Sequence, residues 1–208
     1  MRDPSKDSGS ALLLVMIAAG LLSALGAGLV LLGSTEAAIA TNFRTSAEAL
    51  YAADAAAERA LQDLLVAANW TDVLSGASSS SFIDSTVNPT LASNQQLDLT
   101  ALTSLLQQRS DSSSSWAANN PRWRLYSYGP LAGITGGGAV QSPAYLVAWI
   151  ADDPGDTDND PFVDSNGRIT LLARAFGLFG SRRGIEVTLA RTGPGRANAR
   201  ILSWREAE

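Results

Sequence analysis

The chain has 208 residues and a formal net charge of −5, with 15 Lys and Arg against 20 Asp and Glu. It contains no cysteine and no histidine, which excludes disulfides, thiolate metal sites and Ser-His-Asp triads and removes the commonest general base. The acidic balance, with no basic stripe of interleaved aromatics, argues against a nucleic-acid partner. Since no acid–base pair stands in a recognisable setting either, we expect no enzymatic activity.

The first predicted element is a membrane-spanning helix over residues 10–33, a stretch that carries no charge. Helical residues rise 1.5 Å each, so a run of about 24 spans roughly 36 Å, enough for a hydrocarbon core of about 30 Å. Arg2 and Lys6 precede the run and indicate that the rest of the chain lies on the extracytoplasmic side of an inner membrane. The alternatives are a secretory signal cleaved near Ala40 and a buried helix of a soluble protein.

An amphipathic extension of the same helix is predicted over residues 34–68. This stretch is rich in Ala, Glu and Leu, and contains no Gly and no Pro. Its apolar face could form a coiled-coil stalk or pack on a small sheet, and the short, alanine-rich stripe favours the sheet. The face comprises Ile39, Phe43, Ala47, Leu50, Ala57, Leu61, Leu64 and Ala68.

Residues 69–120 are predicted to be a serine-rich connector. Runs of four serines occupy positions 78–81 and 112–115, and such composition is typical of solvated linkers. Leucines on one face indicate a short helix from Asp98 to Arg109 within this connector. Asp98 or Thr100 would supply its N-cap.

Residues 121–208 are predicted to form an antiparallel β-sheet domain of four or five strands. The candidate strands are β-rich segments separated by Gly, Pro and Asp. We therefore expect an α+β fold, in which the long N-terminal helix packs on a C-terminal antiparallel sheet. The predicted strands are residues 123–128, 144–150, 168–176, 185–189 and 200–204.

An acidic segment lies between the second and third predicted strands. Four of its aspartates, three of them at alternate positions, resemble the oxygen ligands of a calcium loop. The match to an EF-hand is partial, because Pro161 stands where the invariant glycine belongs and Gly167 replaces the bidentate glutamate. The interpretation as a calcium site stands beside a simpler one, a solvated acidic turn. The candidate ligands are Asp156, Asp158, Asp160 and Asp164.

The amino-terminal junction resembles the class III signal of type IV pilin-like proteins. A short charged leader, residues 1–9, ends at Gly9, and the small residue Ser10 opens the apolar helix. The resemblance implies cleavage after Gly9 by a prepilin peptidase and methylation of the new amino terminus at Ser10. It also implies, as partners, other pilin or pseudopilin subunits, an inner-membrane assembly platform and membrane lipid.

Within that group, Gly9 to Leu61 is most similar to the PilX-type minor pilins. The shared features are the leucine-rich anchor, the segment Thr41–Arg44 and the Ala- and Glu-rich stretch that follows it. The family's usual glutamate at the fifth mature position would fall where this chain has Leu14. In the family that carboxylate neutralises the amino terminus of a neighbouring subunit. Leu14 therefore suggests a subunit with none above it, as in tip-located minor pseudopilins of the K type.

Taken together, these features predict a minor pilin or pseudopilin subunit. Such a protein assembles into, or primes, a type IV pilus or a related secretion filament. The alternative is a membrane-anchored extracytoplasmic binding module that never polymerises. The position of the subunit, at a tip or within a fibre, is left open by the residues alone.

Overall fold

The computed structural model describes residues 7–113, 120–135, 142–193 and 198–207. Residues 1–6 of the predicted leader and residues 114–115 of the second serine run lie outside these ranges. The chain divides into two compact units, Met1–Arg44 and Thr45–Glu208, with the division inside its first helix.

The predicted long helix is confirmed. Helix α1 spans Asp7–Val66 and ends two residues before the predicted limit at Ala68. In the first unit, all residues from Gly9 to Arg44 are exposed. The predicted packing face is therefore wrong for Ile39 and Phe43, which are 63% and 76% exposed because they precede the part of α1 that contacts the sheet. It is also wrong for Ala68, which is exposed because it lies beyond the end of the helix.

In the second unit, α1 contributes one side of the main hydrophobic core. Its buried side chains are mainly alanines, which leave little room for larger residues. The helical period of 3.6 residues places them on a single stripe facing the sheet. They are Ala49, Ala52, Ala53, Ala56, Ala57, Ala60, Leu61 and Leu64.

Five antiparallel strands form one sheet in the order β1-β2-β3-β4-β5, which confirms the predicted meander and the α+β fold. The fourth strand is longer than predicted because the preceding turn is short, with the N–H of Gly177 donating to the carbonyl of Ser181. The residues Leu178–Gly180 form a 3₁₀ helix within this turn. The strands are β1 Arg124–Pro130, β2 Tyr145–Asp152, β3 Arg168–Phe176, β4 Arg182–Arg191 and β5 Ala199–Ala207.

Strand β2 is buried at every residue because both of its faces are covered. Its alternate residues Leu146, Ala148 and Ile150 belong to the core that α1 shares. Tyr145, Val147 and Trp149 point to the other face, as alternate strand residues must. There they form a second, smaller core with Leu91, Leu97, Leu99 and Phe176.

The described residues contain three shorter α-helices besides α1. Helix α2, Trp70–Ser75, was not indicated by the sequence, and its Trp70 indole is fully buried and donates to the carbonyl of Leu64 at 3.0 Å. Helix α3, Leu99–Ser113, corresponds to the predicted helix and extends beyond it. As predicted for an N-cap, the Asp98 carboxylate accepts from the N–H of Ala101 at 2.8 Å. Helix α4, Ala132–Thr135, follows β1.

Candidate functional site

The first candidate for a functional site is the apolar part of α1 that lies in the first unit. By length and composition, this helix is long and apolar enough to cross a membrane. Its large side chains remain between about half and three-quarters exposed, with Leu22 at 70% and Val30 at 72%. A helix whose apolar side chains are exposed all round is typical of a segment that lipid or other helices cover.

Hydroxyl groups mark the end of the charge-free run. Ser34 and Thr35 both donate to the carbonyl of Leu31, at 2.8 and 3.0 Å, and Thr41 donates to that of Ala37 at 2.8 Å. Such bonds satisfy the hydroxyl within its own helix and lower the cost of placing it next to an apolar environment. The hydroxyl groups that follow the charge-free run therefore bond to the backbone of their own helix.

The predicted processing residues Gly9 and Ser10 lie near the start of α1, and Leu14 follows Ser10 by about one helical turn. All three are exposed, and Leu14 is 66% exposed. A Cβ atom at Gly9 would meet nothing within 4 Å, so the fold itself does not require glycine there. The amino-terminal N–H groups of a helix lack intrahelical partners, so this end opens more readily than the interior.

The second candidate is the acidic loop, residues 153–167, which connects β2 to β3. All four predicted calcium ligands accept hydrogen bonds from the loop's own backbone. The Oδ1 atom of Asp158 accepts from the N–H of Asp160 at 2.9 Å. The Oδ1 atom of Asp164 accepts from the N–H groups of Gly167 and Arg168 at 2.7 and 3.1 Å. The Oδ1 atom of Asp160 accepts from the N–H of Phe162 at 3.0 Å.

Asp156 closes the loop on itself. Its Oδ2 accepts from the N–H groups of Ser165 and Asn166 at 2.8 and 3.2 Å, and its Oδ1 accepts from the Ser165 hydroxyl. Burial raises the pKa of Asp156, but the hydrogen bonds from Ser165 and its neighbours outweigh burial and hold the pKa below its usual value. Asp156 is therefore ionised at neutral pH.

Asp152, the last residue of β2, was not among the predicted ligands. Its side chain is 2% exposed, and both carboxylate oxygens are buried without a hydrogen bond from the described residues. Burial raises the pKa of Asp152 to about 7, and the nearby charges of Asp156 and Asp164 act in the same direction. The nearby N–H of Asp153 favours the ionised form and opposes this shift in part.

Three carboxylates converge at this end of the sheet. Asp152, Asp156 and Asp158 each present one oxygen, and these oxygens all lie within 4.8 Å of one another. Hard divalent cations prefer such oxygen ligands. Asp160 and Asp164 are not members of this cluster. Spacing along the loop could not single out Asp152, because it belongs to a strand, although an aspartate ending a strand of apolar residues is itself a signal.

The loop is attached to neighbouring elements by hydrogen bonds. The N–H of Asp164 donates to the Thr71 hydroxyl of α2 at 3.1 Å. The carbonyl of Gly167 accepts from the N–H of Arg191 on β4 at 2.8 Å. The acidic loop is thus held against α2 and the end of β4.

The chain matches no protein-family model, no curated protein and no solved structure at a significant level.

Proposed function

We propose that this protein is a membrane-anchored minor pilin or pseudopilin subunit that assembles into, or primes, a type IV pilus or a related secretion filament. One observation carries the proposal. A single helix, α1, contains both an exposed apolar segment and a segment that completes the core of a sheet domain. An element with these two halves suits a subunit that is stored in a bilayer and later packed among other helices.

The exposed apolar segment requires a cover. Each large apolar side chain removed from water gains about 1.5–3 kcal/mol, and more than ten such side chains are exposed between Leu12 and Leu32. Lipid supplies that cover in the membrane, and neighbouring helices supply it in a filament. Because lipid tails are as apolar as these side chains, the exchange of one cover for the other needs no large net free energy. Polymerisation can therefore draw on packing alone.

The orientation follows from the charges at the amino terminus. Arg2 and Lys6 precede the apolar segment, and basic residues are retained on the cytoplasmic side. The subunit is thus a single-pass inner-membrane protein whose sheet domain is extracytoplasmic and available to partners. The prepilin peptidase and the assembly platform act on it from the membrane.

Leu14 bears on the position of the subunit within an assembly. A carboxylate inside the apolar segment is costly unless a partner charge meets it, and this chain has none between Ser10 and Gly33. The subunit therefore offers no carboxylate to the amino terminus of a neighbour above it. This favours a place at the tip or in a priming complex over a place within the repeating fibre.

The experiment is mass spectrometry of the mature amino terminus after co-expression with a prepilin peptidase. We expect a chain that begins at N-methylated Ser10. The Gly9→Val variant should stay unprocessed, while Gly20→Val should be processed normally. A Cβ at either glycine meets nothing within 4 Å, so the two variants place comparable demands on the fold. A mature chain that begins at Met1, or near Thr41, would contradict the proposal.

A second measurement tests assembly separately from processing. Sheared surface filaments should contain the processed chain, and the Gly9→Val variant should remain in the membrane fraction. A membrane-anchored binding module that never polymerises predicts the opposite result for the native chain, retention in the membrane fraction under all conditions.

A further inference from the structure

The carboxylate of Asp152 is buried inside the protein without a partner that would stabilise its charge. Asp152 is only 2% exposed, and neither of its carboxylate oxygens has a hydrogen-bond partner among the described residues. Such a group is stable only if it takes up a proton or if a cation lies beside it. Two further carboxylates face the same point, so a divalent cation there would meet all three negative groups, whereas a proton would neutralise only one of them.

We propose that a divalent cation, Ca²⁺ in the first instance, binds between the carboxylates of Asp152, Asp156 and Asp158 at the end of strand β2. The three ligand oxygens lie within 4.8 Å of one another. Two oxygens bound to the same Ca²⁺, each at 2.3–2.6 Å, are at most about 5 Å apart. The three carboxylates are therefore close to the spacing that a single ion needs, and small side-chain shifts would complete the contacts.

The three ligands differ in a way that suits a binding site. Asp156 is fixed by the backbone of Ser165 and Asn166, so its position is set before a cation arrives. Asp158 is exposed and provides the side from which an ion can enter. Asp152 lies at the buried end and has the most to gain from a positive charge. The three together bring three negative charges to a divalent ion.

Ca²⁺ is the cation that this arrangement fits best. The chain contains no cysteine and no histidine, so the softer transition metals lack their preferred ligands. Mg²⁺ demands near-ideal octahedral geometry, whereas Ca²⁺ accepts six to eight oxygens in irregular loops and fills vacant positions with water. A cation here would join the end of β2 to the acidic loop and, through the bond from Asp164 to Thr71, to α2.

The test measures calcium binding and thermal unfolding of the full-length chain in detergent, after removal of metal with EDTA. Titration calorimetry with CaCl₂ should give one site, and Tm should rise saturably with calcium because the ion binds only the folded form. MgCl₂ should produce a smaller rise. These expectations concern the second unit and are independent of whether the amino terminus is processed.

Two variants make the test specific. Asp152→Asn should lower calcium affinity on the order of 100-fold, since a buried ligand charge is lost. In EDTA it should still unfold in one cooperative transition, because the amide has nearly the same size and shape as the carboxyl group, and this shows that the variant is folded. Asp160→Asn is the matched control, an aspartate of the same loop outside the cluster, and should retain the calcium response.

Either of two results would overturn the proposal. The first is the absence of binding heat and of a Tm shift with about 5 mM CaCl₂, above the dissociation constants typical of extracellular calcium modules. The second is an equal loss of the response in Asp160→Asn and Asp152→Asn, which would indicate diffuse attraction of ions to an acidic surface.

Discussion

The guanidinium of Arg191 lies over the indole ring of Trp70, with 4.3 Å between the Cζ atom and the ring centre. The same guanidinium donates to the carbonyl of Ala67 at 2.9 Å, directly after the end of α1. The last turn of α1 contains no basic residue of its own, so the strand supplies the positive charge that the carboxyl end of a helix favours. One side chain of β4 thus links the carboxyl end of α1 to the first residue of α2.

Replacement of Arg191 should destabilise the second unit measurably. We expect Arg191→Ala to lower the free energy of unfolding by about 2–4 kcal/mol, from the lost cation–π contact and the lost charged hydrogen bond. Arg191→Lys should recover part of this. Urea unfolding followed by tryptophan fluorescence is suitable, because all five tryptophans lie beyond residue 45. The exposed Arg200→Ala serves as control, and equal stabilities of the two alanine variants would contradict the prediction.

Asp63 predicts a dependence of stability on acid pH. Its carboxylate accepts from Arg59 at 2.9 Å, from the N–H of Ser81 at 3.0 Å and from the Ser80 hydroxyl. Burial alone raises the pKa of Asp63, but these hydrogen bonds together lower it below the ordinary value of 3.8. The stabilisation is therefore fully present above the pKa of the unfolded chain and is lost as pH falls through the lower pKa of the folded state.

The variant Asp63→Asn separates this contribution from general acid denaturation. At pH 7 we expect a loss of about 1–3 kcal/mol, the cost of weakening hydrogen bonds to a charged, partly buried group. Between pH 5 and about 2 the variant should lose less stability than the native chain. The exposed Glu58→Gln should behave like the native chain in urea unfolding at both ends of this range. A constant difference between Asp63→Asn and the native chain at all pH values would refute the assignment.

Gly167 is required at the end of the acidic loop for two reasons. Its φ of +73° is strained for other residues by about 1–2 kcal/mol, and a Cβ would lie 2.4 Å from the carbonyl oxygen of Arg191. Gly180 has the same φ of +73° but nothing within 4 Å. We expect Gly167→Ala to be less stable than Gly180→Ala by a further 1–3 kcal/mol or so, as for other overpacked sites. Equal losses in thermal unfolding would show that the clash relaxes freely.

The alanine face of α1 should not tolerate larger side chains. Ala57 is fully buried, so Ala57→Leu must displace core neighbours and should cost about 1–3 kcal/mol. Gln62→Leu adds the same side chain on the exposed side of the helix and should change the stability by about 0.5 kcal/mol or less. Urea unfolding of the two variants measures the difference. If Ala57→Leu were as stable as the native chain, the core would contain unfilled space at this point.

Local signals in the sequence account for most of the fold. The charge-free run and the helix formers after it predict α1, and β-rich segments between turn residues predict the five strands, with β3 identical in its bounds. These signals act over a few residues and do not depend on distant contacts. Helix α2 gave no such signal, because its 6 residues are too few to show a periodicity. It is stabilised by the burial of Trp70, a contact between distant elements.

The candidate sites were less accessible from sequence. The spacing of Asp156, Asp158 and Asp160 indicates an oxygen-rich loop, but spacing does not reveal which carboxylates converge on one point. Asp164 and Asp160 stabilise the loop, while Asp152 enters the cluster from the adjoining strand. Likewise, Leu91, Leu97 and Leu99 lie in the predicted serine-rich connector, yet they are buried because β2 offers them a second face.

Strand β2 divides the interior of the second unit into two compartments that share one wall. The smaller compartment holds α3, which is linked to the wall by the bond from the Trp149 indole to the Thr103 hydroxyl at 2.7 Å. Release of α3 from the sheet would expose one face of β2 and leave the strand pairing in place. Local opening of α3 should therefore cost less free energy than global unfolding. Amide hydrogens in α3 should therefore exchange with solvent faster than those of residues 49–64 in α1, whose release would expose the larger core.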